Sequence, residues 1–593
     1  MQKTLCCIEL KAFWEKCSRA WAAIHVERRG KYSVQRLQQL IAYKRSTTLI
    51  HAWTVLLVTP LPCLAAITLL DCIPLKPPSM GIGHSHLLWL RTVLVGWWLN
   101  GSIVVQLRQN VSRLPITNAQ IGWMSLLGST CGTSCSFAIS SQVGYPRPFT
   151  LALSAPPAAV MLAICFSVIW GELFRSCQQA RSELVKYIKL MFKKVALVFI
   201  YPVFSYVFTS LGSQEQTALA LLLPAMKIAV KNWIDASAVD IEDLKPEVII
   251  FNVEIFHALY VIYSMQSATS TSTIFVLVVA DVYSSCASVR RLNSLMKAWR
   301  TALETHIRRP SKRIRNVNLG LVDPREGVQR SKPSVHPAQH ASFATPPKVL
   351  QVALYALEID ESITESPAIC DQPNSRPTRL AASVAPVRQS QTAPERPRLH
   401  LNNPTSDKSV IPGAPKETQI EFTNIFDNSQ PTALTNNEKR IIQALSLSEW
   451  RQQVENLLKI LHMAEFLLLI EYTEVMIPIV YCLYLLIMNH LPNRMYYAQL
   501  KDTDADTLHR NVANVMLYTS LELMSFLVLR AVLSWKLAMS GIHQLAFVLE
   551  TQWSMVQAKL LLWVMFAAQI PLEHFGVDYS FQFKWLHSNH QGQ

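Results

Sequence analysis

About eleven long apolar stretches, interrupted once by a polar segment of roughly 130 residues, constrain this chain more than any other feature in it. Each is long enough to cross a bilayer, for which a helix needs roughly 20 mostly apolar residues. In lipid every backbone N–H and C=O must be paired within the protein, so runs of this length fold as helices. The expected class is all-α: a polytopic integral membrane helix bundle of about 11 transmembrane helices with a long disordered cytoplasmic insert.

Composition agrees with that reading. Half of the residues are hydrophobic and 16% are charged, against roughly 25% in an average soluble domain. Mean hydropathy is +0.20 even though the insert lowers it. A formal charge of +15 raises nucleic acid as a partner. The Lys and Arg residues instead collect on loops beside the apolar runs, where an anionic cytoplasmic leaflet attracts them. The expected partners are the lipid bilayer and its anionic inner-leaflet headgroups, with protein partners through the insert and no nucleic acid. The twelve cysteines form no C-x-x-C pair and no Cys/His cluster with zinc spacing, so no metal or other cofactor is expected. Cys131 and Cys135 read as small apolar residues, and adjacent Cys6 and Cys7 leave palmitoylation open.

Residues 1–48 form a basic cytoplasmic region that lacks the apolar core and cleavage site of a signal peptide. Residues 49–290 hold eight spans: Leu49–Leu70, His86–Leu107, Asn118–Ser140, Phe149–Trp170, Val195–Gly212, Thr217–Ile234, Val248–Met265 and Thr271–Val289. The insert covers 291–435. Residues 436–575 hold an amphipathic entry helix and the spans Ala464–Met488, Val512–Leu533 and Val556–Leu572, and a tail covers 576–593. Asn118–Ser140 is rich in Ser, Thr and Gly, as suits close helix packing inside a bundle.

Charge bias orients the bundle. Ten Lys/Arg precede the first span against three Glu, and Gly171–Lys194 carries six basic residues. Arg290 to Arg330 carries eleven basic and three acidic residues, whereas Asp71–Ser85 has Lys76 alone. The pattern predicts an inside N-terminus, an inside insert and an outside C-terminus; which membrane is not legible. Within Gly171–Lys194, Cys177, Ala180, Leu184, Ile188 and Met191 recur at threes and fours. Two readings stay open: a basic amphipathic helix on the inner leaflet, or a cytoplasmic extension of a membrane helix.

From about His306 to Pro431 lie sixteen of the 32 prolines, one Tyr and no Trp. Such sequence buries too little apolar surface to offset its ordering entropy. Arg308 to Arg315 opens it with a basic run in which phosphate on Ser311 would cancel local charge, unless the run is an ordinary positive-inside flank. Order resumes at a capping box, Thr435-x-x-Glu438, and Leu447, Trp450, Val454, Leu457 and Leu461 carry helical spacing into the ninth span.

Charges at membrane depth are costly and face protein or water. Lys227 and Lys231 share a face of the sixth span, Glu254 and His257 a face of the seventh, and Asp281 lies mid-way along the eighth. Glu471 and Glu474 share a face of the ninth, with Glu522 in the tenth. The candidate intramembrane polar pathway is therefore Lys227, Glu254, His257, Asp281, Glu471, Glu474 and Glu522. Carboxylates would bind a cation and His257 would relay protons; the competing reading is structural ion pairs. Pro60 and Pro62, Pro156–Pro157 and Pro202 add broken-helix features.

Thr59–Cys63, Pro246–Gln266, Gln544–Gln552 and Leu572–Phe581 resemble a family of multi-pass membrane proteins found in oomycetes. The resemblance covers both membrane blocks but not the insert, and it brings no assigned activity and no site residues. No catalytic motif is evident and an enzyme is not expected. The leading functional class is an ion- or solute-translocating transporter or channel. The alternative is a membrane-embedded scaffold or signalling protein that binds partners through the insert.

Overall fold

The computed structural model describes residues 25–111, 114–146, 149–237, 242–267, 271–308, 447–497, 500–501, 503–537 and 539–576. The disorder expected of the insert, the capping box at Thr435 and the terminal tail fall outside the described residues. Within them the chain is helical and holds no strand, and one isolated bridge pairs Tyr497 with Leu572.

The helices are α1 (Val34–Ser46), α2 (Leu49–Val58), α3 (Leu61–Asp71), α4 (His86–Asn110), α5 (Asn118–Val143), α6 (Thr150–Ser176), α7 (Gln178–Ser210) and α8 (Ser213–Ala220). They continue as α9 (Leu222–Asp235), α10 (Lys245–Ser267), α11 (Thr271–Arg308), α12 (Leu447–Met488), α13 (Ala505–Leu537), α14 (Gly541–Thr551) and α15 (Trp553–Gln569). Local chemistry sets several of the starts. Ser33 caps α1 by accepting from Arg36 N at 3.0 Å, and Thr117 with Gln120 closes a capping box on α5.

Among the described residues, nine helices are long and apolar enough to cross a membrane: α2–α3 together, α4, α6, α7, α8–α9 together, α10, α11, α12 and α13. Helices of this number, length and composition are compatible with a multi-pass membrane protein. The remaining two expected spans are also helical. α5 has the length but a Ser/Thr/Gly-rich composition, and α15 has the composition but only 17 residues.

Exposure is inverted relative to a soluble domain. Ile50, Val168, Phe192 and Trp535 are exposed, while Glu254, Arg91 and Lys559 are buried. The centre is built by α10 and α12, whose apolar cores are 83% and 78% buried by protein, against 11% for the peripheral α6. α10 packs along α12, α12 along α13, and α15 lies between α4, α10 and α3.

Of the two readings of Gly171–Lys194, extension of a membrane helix is the one that fits: α6 ends at Ser176, and α7 then runs unbroken from Gln178 into the apolar run. Of its apolar face, Ala180 is buried in a cluster with Leu107 of α4 and Trp170 of α6, Cys177, Leu184 and Met191 pack against that cluster, and Ile188 is exposed. Of the prolines named above, Pro60 alone breaks a span, because it separates α2 from α3. Pro156, Pro157 and Pro202 sit inside continuous helices. The sixth span breaks instead at Leu221, three residues before Pro224, which has no N–H to continue the ladder.

The small residues of α5 are explained by contact. Its buried stripe, Ser125, Gly128, Ser129, Gly132, Thr133 and Ser136, lies between α4 and α6. Ser129 Oγ donates to Val93 O at 2.6 Å, and a Cβ on Gly132 would stand 2.5 Å from Ser154 O of α6. Small residues let the backbones approach closely here.

Candidate functional site

Three buried polar groupings succeed one another along the bundle. The first closes the end where α1 lies. Arg36 of α1 reaches Glu247 at 2.8 Å and Glu465 at 2.7 Å, at the starts of α10 and of the apolar part of α12. Tyr32 donates to Glu465 and accepts from Gln544 of α14 at 2.8 Å. Burial alone would drive the Arg36 guanidinium toward neutrality, but Glu465 and Glu247 override it and hold the cation far above its ordinary range. Gly30, at φ 148°, lets the chain press onto the His462 ring, which leaves no room for a Cβ.

The second grouping contains all seven residues singled out above. Lys227 of α9 lies 2.9 Å from Glu254 and pairs with Glu474, while Lys231, one turn on, lies 2.5 Å from Glu254 and 3.7 Å from Glu27. Both Glu254 oxygens face lysines at ion-pair distance but off the hydrogen-bonding direction. Burial pushes the Glu27 carboxyl up, yet His25 and Lys231 outweigh it and hold the group well below the usual carboxylate range. Asp281 of α11 accepts from Tyr518 of α13 at 2.8 Å. Carboxylate oxygens of Glu471, Glu474 and Glu522 all lie within 4.8 Å of one another, and all three residues are buried. His257 is buried with neither ring nitrogen hydrogen-bonded. Lys231 and Glu465, residues at the margins of the apolar runs, are buried as well.

The third grouping lies at the opposite end of α12. Asp71 pairs with Arg91 and accepts from Tyr484 at 2.7 Å and Tyr497 at 2.6 Å. Arg91 also donates to Gln569 at 2.7 Å, and Asn493 donates to the carbonyls of Asp71 and Ile73 at 2.7 Å each. His574 Nε2 donates to Lys76 O at 2.7 Å, and the ring meets Tyr496 edge-on. Burial pushes the His574 imidazole down to about 4.

Between the second and third groupings is a cavity of about 90 Å³. Phe256, Tyr260, Tyr263, Tyr481, Tyr484 and Tyr497 face it. At its inner limit Tyr201 stacks on Phe256 at 5.7 Å and on Tyr260 at 5.1 Å. Glu254 and Lys227 bear electrostatically on the buried Tyr201, whose hydroxyl has no hydrogen-bond partner. Thus an aromatic layer separates the cavity from the lysine–carboxylate grouping.

Chemically, the second grouping is unbalanced. Glu254, Asp281, Glu471, Glu474 and Glu522 are five buried carboxyl groups, and Lys227 and Lys231 are the two buried ammonium groups facing them. Uncompensated charge in low dielectric costs several kcal/mol per ion. The excess must therefore be offset by bound protons or by a cation, and three oxygens within 4.8 Å are the hard ligands a cation takes.

Spacing did not reveal the first and third groupings, nor two further buried lysines. Lys194 donates to Gln106 at 2.8 Å, and Lys559 of α15 has no hydrogen-bond partner. Lys559 and Arg91 stand inside apolar runs and were findable by the same cost argument. Arg36 and Asp71 lie at or beyond run ends, where the argument is silent. No family model, curated protein or solved structure matches the chain.

Proposed function

We propose that this protein is a proton- or cation-translocating membrane protein that crosses the bilayer eleven times, with α1 in the cytoplasm and the Asp71–Arg91 end outside. The observation that carries the reading is the excess of buried carboxyl groups around Glu471, Glu474 and Glu522. A scaffold needs its buried charges balanced; a carrier needs a site that gains and loses positive charge. Two further features support eleven crossings. Gln557 of α15 donates to Thr59 O at 2.8 Å, while Gln569 of α15 accepts from Arg91, so α15 advances beside α3 toward the Asp71 end. α5 begins beside Arg108 at the end of α4, which donates to Asn118 Oδ1 at 2.7 Å.

The test is reconstitution of the full chain into liposomes with imposed pH and alkali-cation gradients. Flux above that of empty vesicles, altered by Glu522→Gln, is expected. Equal leak from wild type, variant and empty vesicles would sink the proposal.

A further inference from the structure

The aromatic cavity and the acidic grouping beneath it point to one kind of ligand. We infer that the cavity walled by Tyr260, Tyr263, Tyr481, Tyr484, Tyr497 and Phe256 is the entry site for a compact organic ammonium ion, which the carboxylates below then receive. This rests on the translocation reading above and names its substrate class.

Three observations carry it. First, the wall is rich in aromatic rings: five tyrosines from α10, α12 and the segment after α12, with Phe256, line the cavity of about 90 Å³ among aliphatic residues such as Ile477 and Val480. Ring faces carry negative potential, and aromatic cages recognise quaternary and protonated amines on that account. Second, the hydroxyls of Tyr484 and Tyr497 are engaged by Asp71, at 2.7 and 2.6 Å, and that of Tyr481 by Gln266 at 3.0 Å. These rings are therefore held in place and offer π-surface to the cavity instead of hydrogen bonds. Third, the charge on either side favours a cation. Arg91 is neutralised by Asp71, so the outer boundary does not repel one. Beyond Tyr201 and Phe256 lie Glu254 and Glu474 in a grouping short of positive charge. Ile477 of the cavity stands one helical turn from Glu474, and Tyr260 one turn from His257, so the two sites follow one another along α12 and α10. The Tyr201–Phe256–Tyr260 stack is the partition between them.

The full chain in lipid nanodiscs, with radiolabelled choline as the probe and 3,3-dimethylbutan-1-ol as its uncharged isostere, tests the assignment. Saturable choline binding is expected, and the isostere should not displace it. Tyr263→Phe, which keeps the ring face, should bind as wild type, and Tyr263→Ala should bind about tenfold more weakly, the loss of one desolvated cation–π contact. Displacement by the isostere as effective as by choline itself would mean that the cavity reads shape and not charge, and would overturn the cage even if the alanine variant fails to fold. Absence of choline binding together with flux that Glu522→Gln still alters would remove the organic cation and leave translocation of protons or alkali cations standing. Absence of both would remove the two readings together.

Discussion

Lys227 has two carboxylate partners, whereas Glu522 makes no ion pair of its own among the described residues, so neutralising them should have opposite consequences. Lys227→Met strands Glu254 and Glu474 in low dielectric and should destabilise the protein by roughly 3–5 kcal/mol, the cost of breaking a buried pair from one side. Thermal unfolding in detergent reads this directly. Glu522→Gln removes a charge from an acidic cluster and should leave the melting temperature unchanged or raised while altering flux. His574 adds a pH prediction. Its folded pKa, about 4, lies below the unfolded value of 6.5, so its contribution to stability is complete above pH 6.5 and is lost as pH falls toward 4. The loss is on the order of 3 kcal/mol, and comparing melting between pH 7 and 4.5 in wild type and His574→Gln isolates it. The seven residues of the central grouping were legible because charge in an apolar run is an anomaly needing no partner to be noticed. Arg36 with Glu465, 429 residues apart, was not, since neither stands deep inside an apolar run and only the fold brings them together.

At the scale of the elements, α5 shows how composition can mislead in one property and inform in another. Its hydropathy falls short of a spanning helix, yet its Ser and Gly residues are the ones that let α4 and α6 close on it. Gly132→Ala should therefore cost about 1–3 kcal/mol by overpacking against the Ser154 carbonyl; a melting temperature equal to wild type would show that the helices can part cheaply. The apolar periodicity of Gly171–Lys194 was readable but its destination was not. An amphipathic face fits a lipid headgroup layer and a neighbouring helix equally well, and the neighbours Leu107 and Trp170 decide the matter only once folded. Proline was a poor guide to breaks for a related reason: inside a packed bundle the lost hydrogen bond of Pro156 or Pro202 does not unwind the helix.

For the molecule as a whole, the proposed orientation implies that tags on the two termini are accessible from opposite faces of the membrane. The sequons at Asn100, inside α4, and Asn110, at its end, should stay unglycosylated. Of the eleven runs read as spans, nine are long apolar helices among the described residues, legible because backbone satisfaction in lipid admits few alternatives. The inward arrangement of charge was legible only as a requirement, not as a set of partners. Removal of the insert between about Lys312 and Thr432 should leave assembly intact, read as unchanged protease-resistant membrane fragments, because proline-rich polar sequence supplies no core. The burial of α12 and α15 also bears on biogenesis. Glu474, Glu465 and Gln569, the partners of Lys227, Arg36 and Arg91, belong to helices synthesised after the insert. At about 5–20 residues per second, the ribosome takes roughly ten seconds to pass from Arg308 to Leu447. During that interval Lys227, Arg36 and Arg91 keep Glu254, Glu247 and Asp71 but each lacks its later partner, a state that quality-control machinery can recognise. A chain ended after Arg308 should be degraded, and co-expression of a second chain beginning near Leu447 should rescue it.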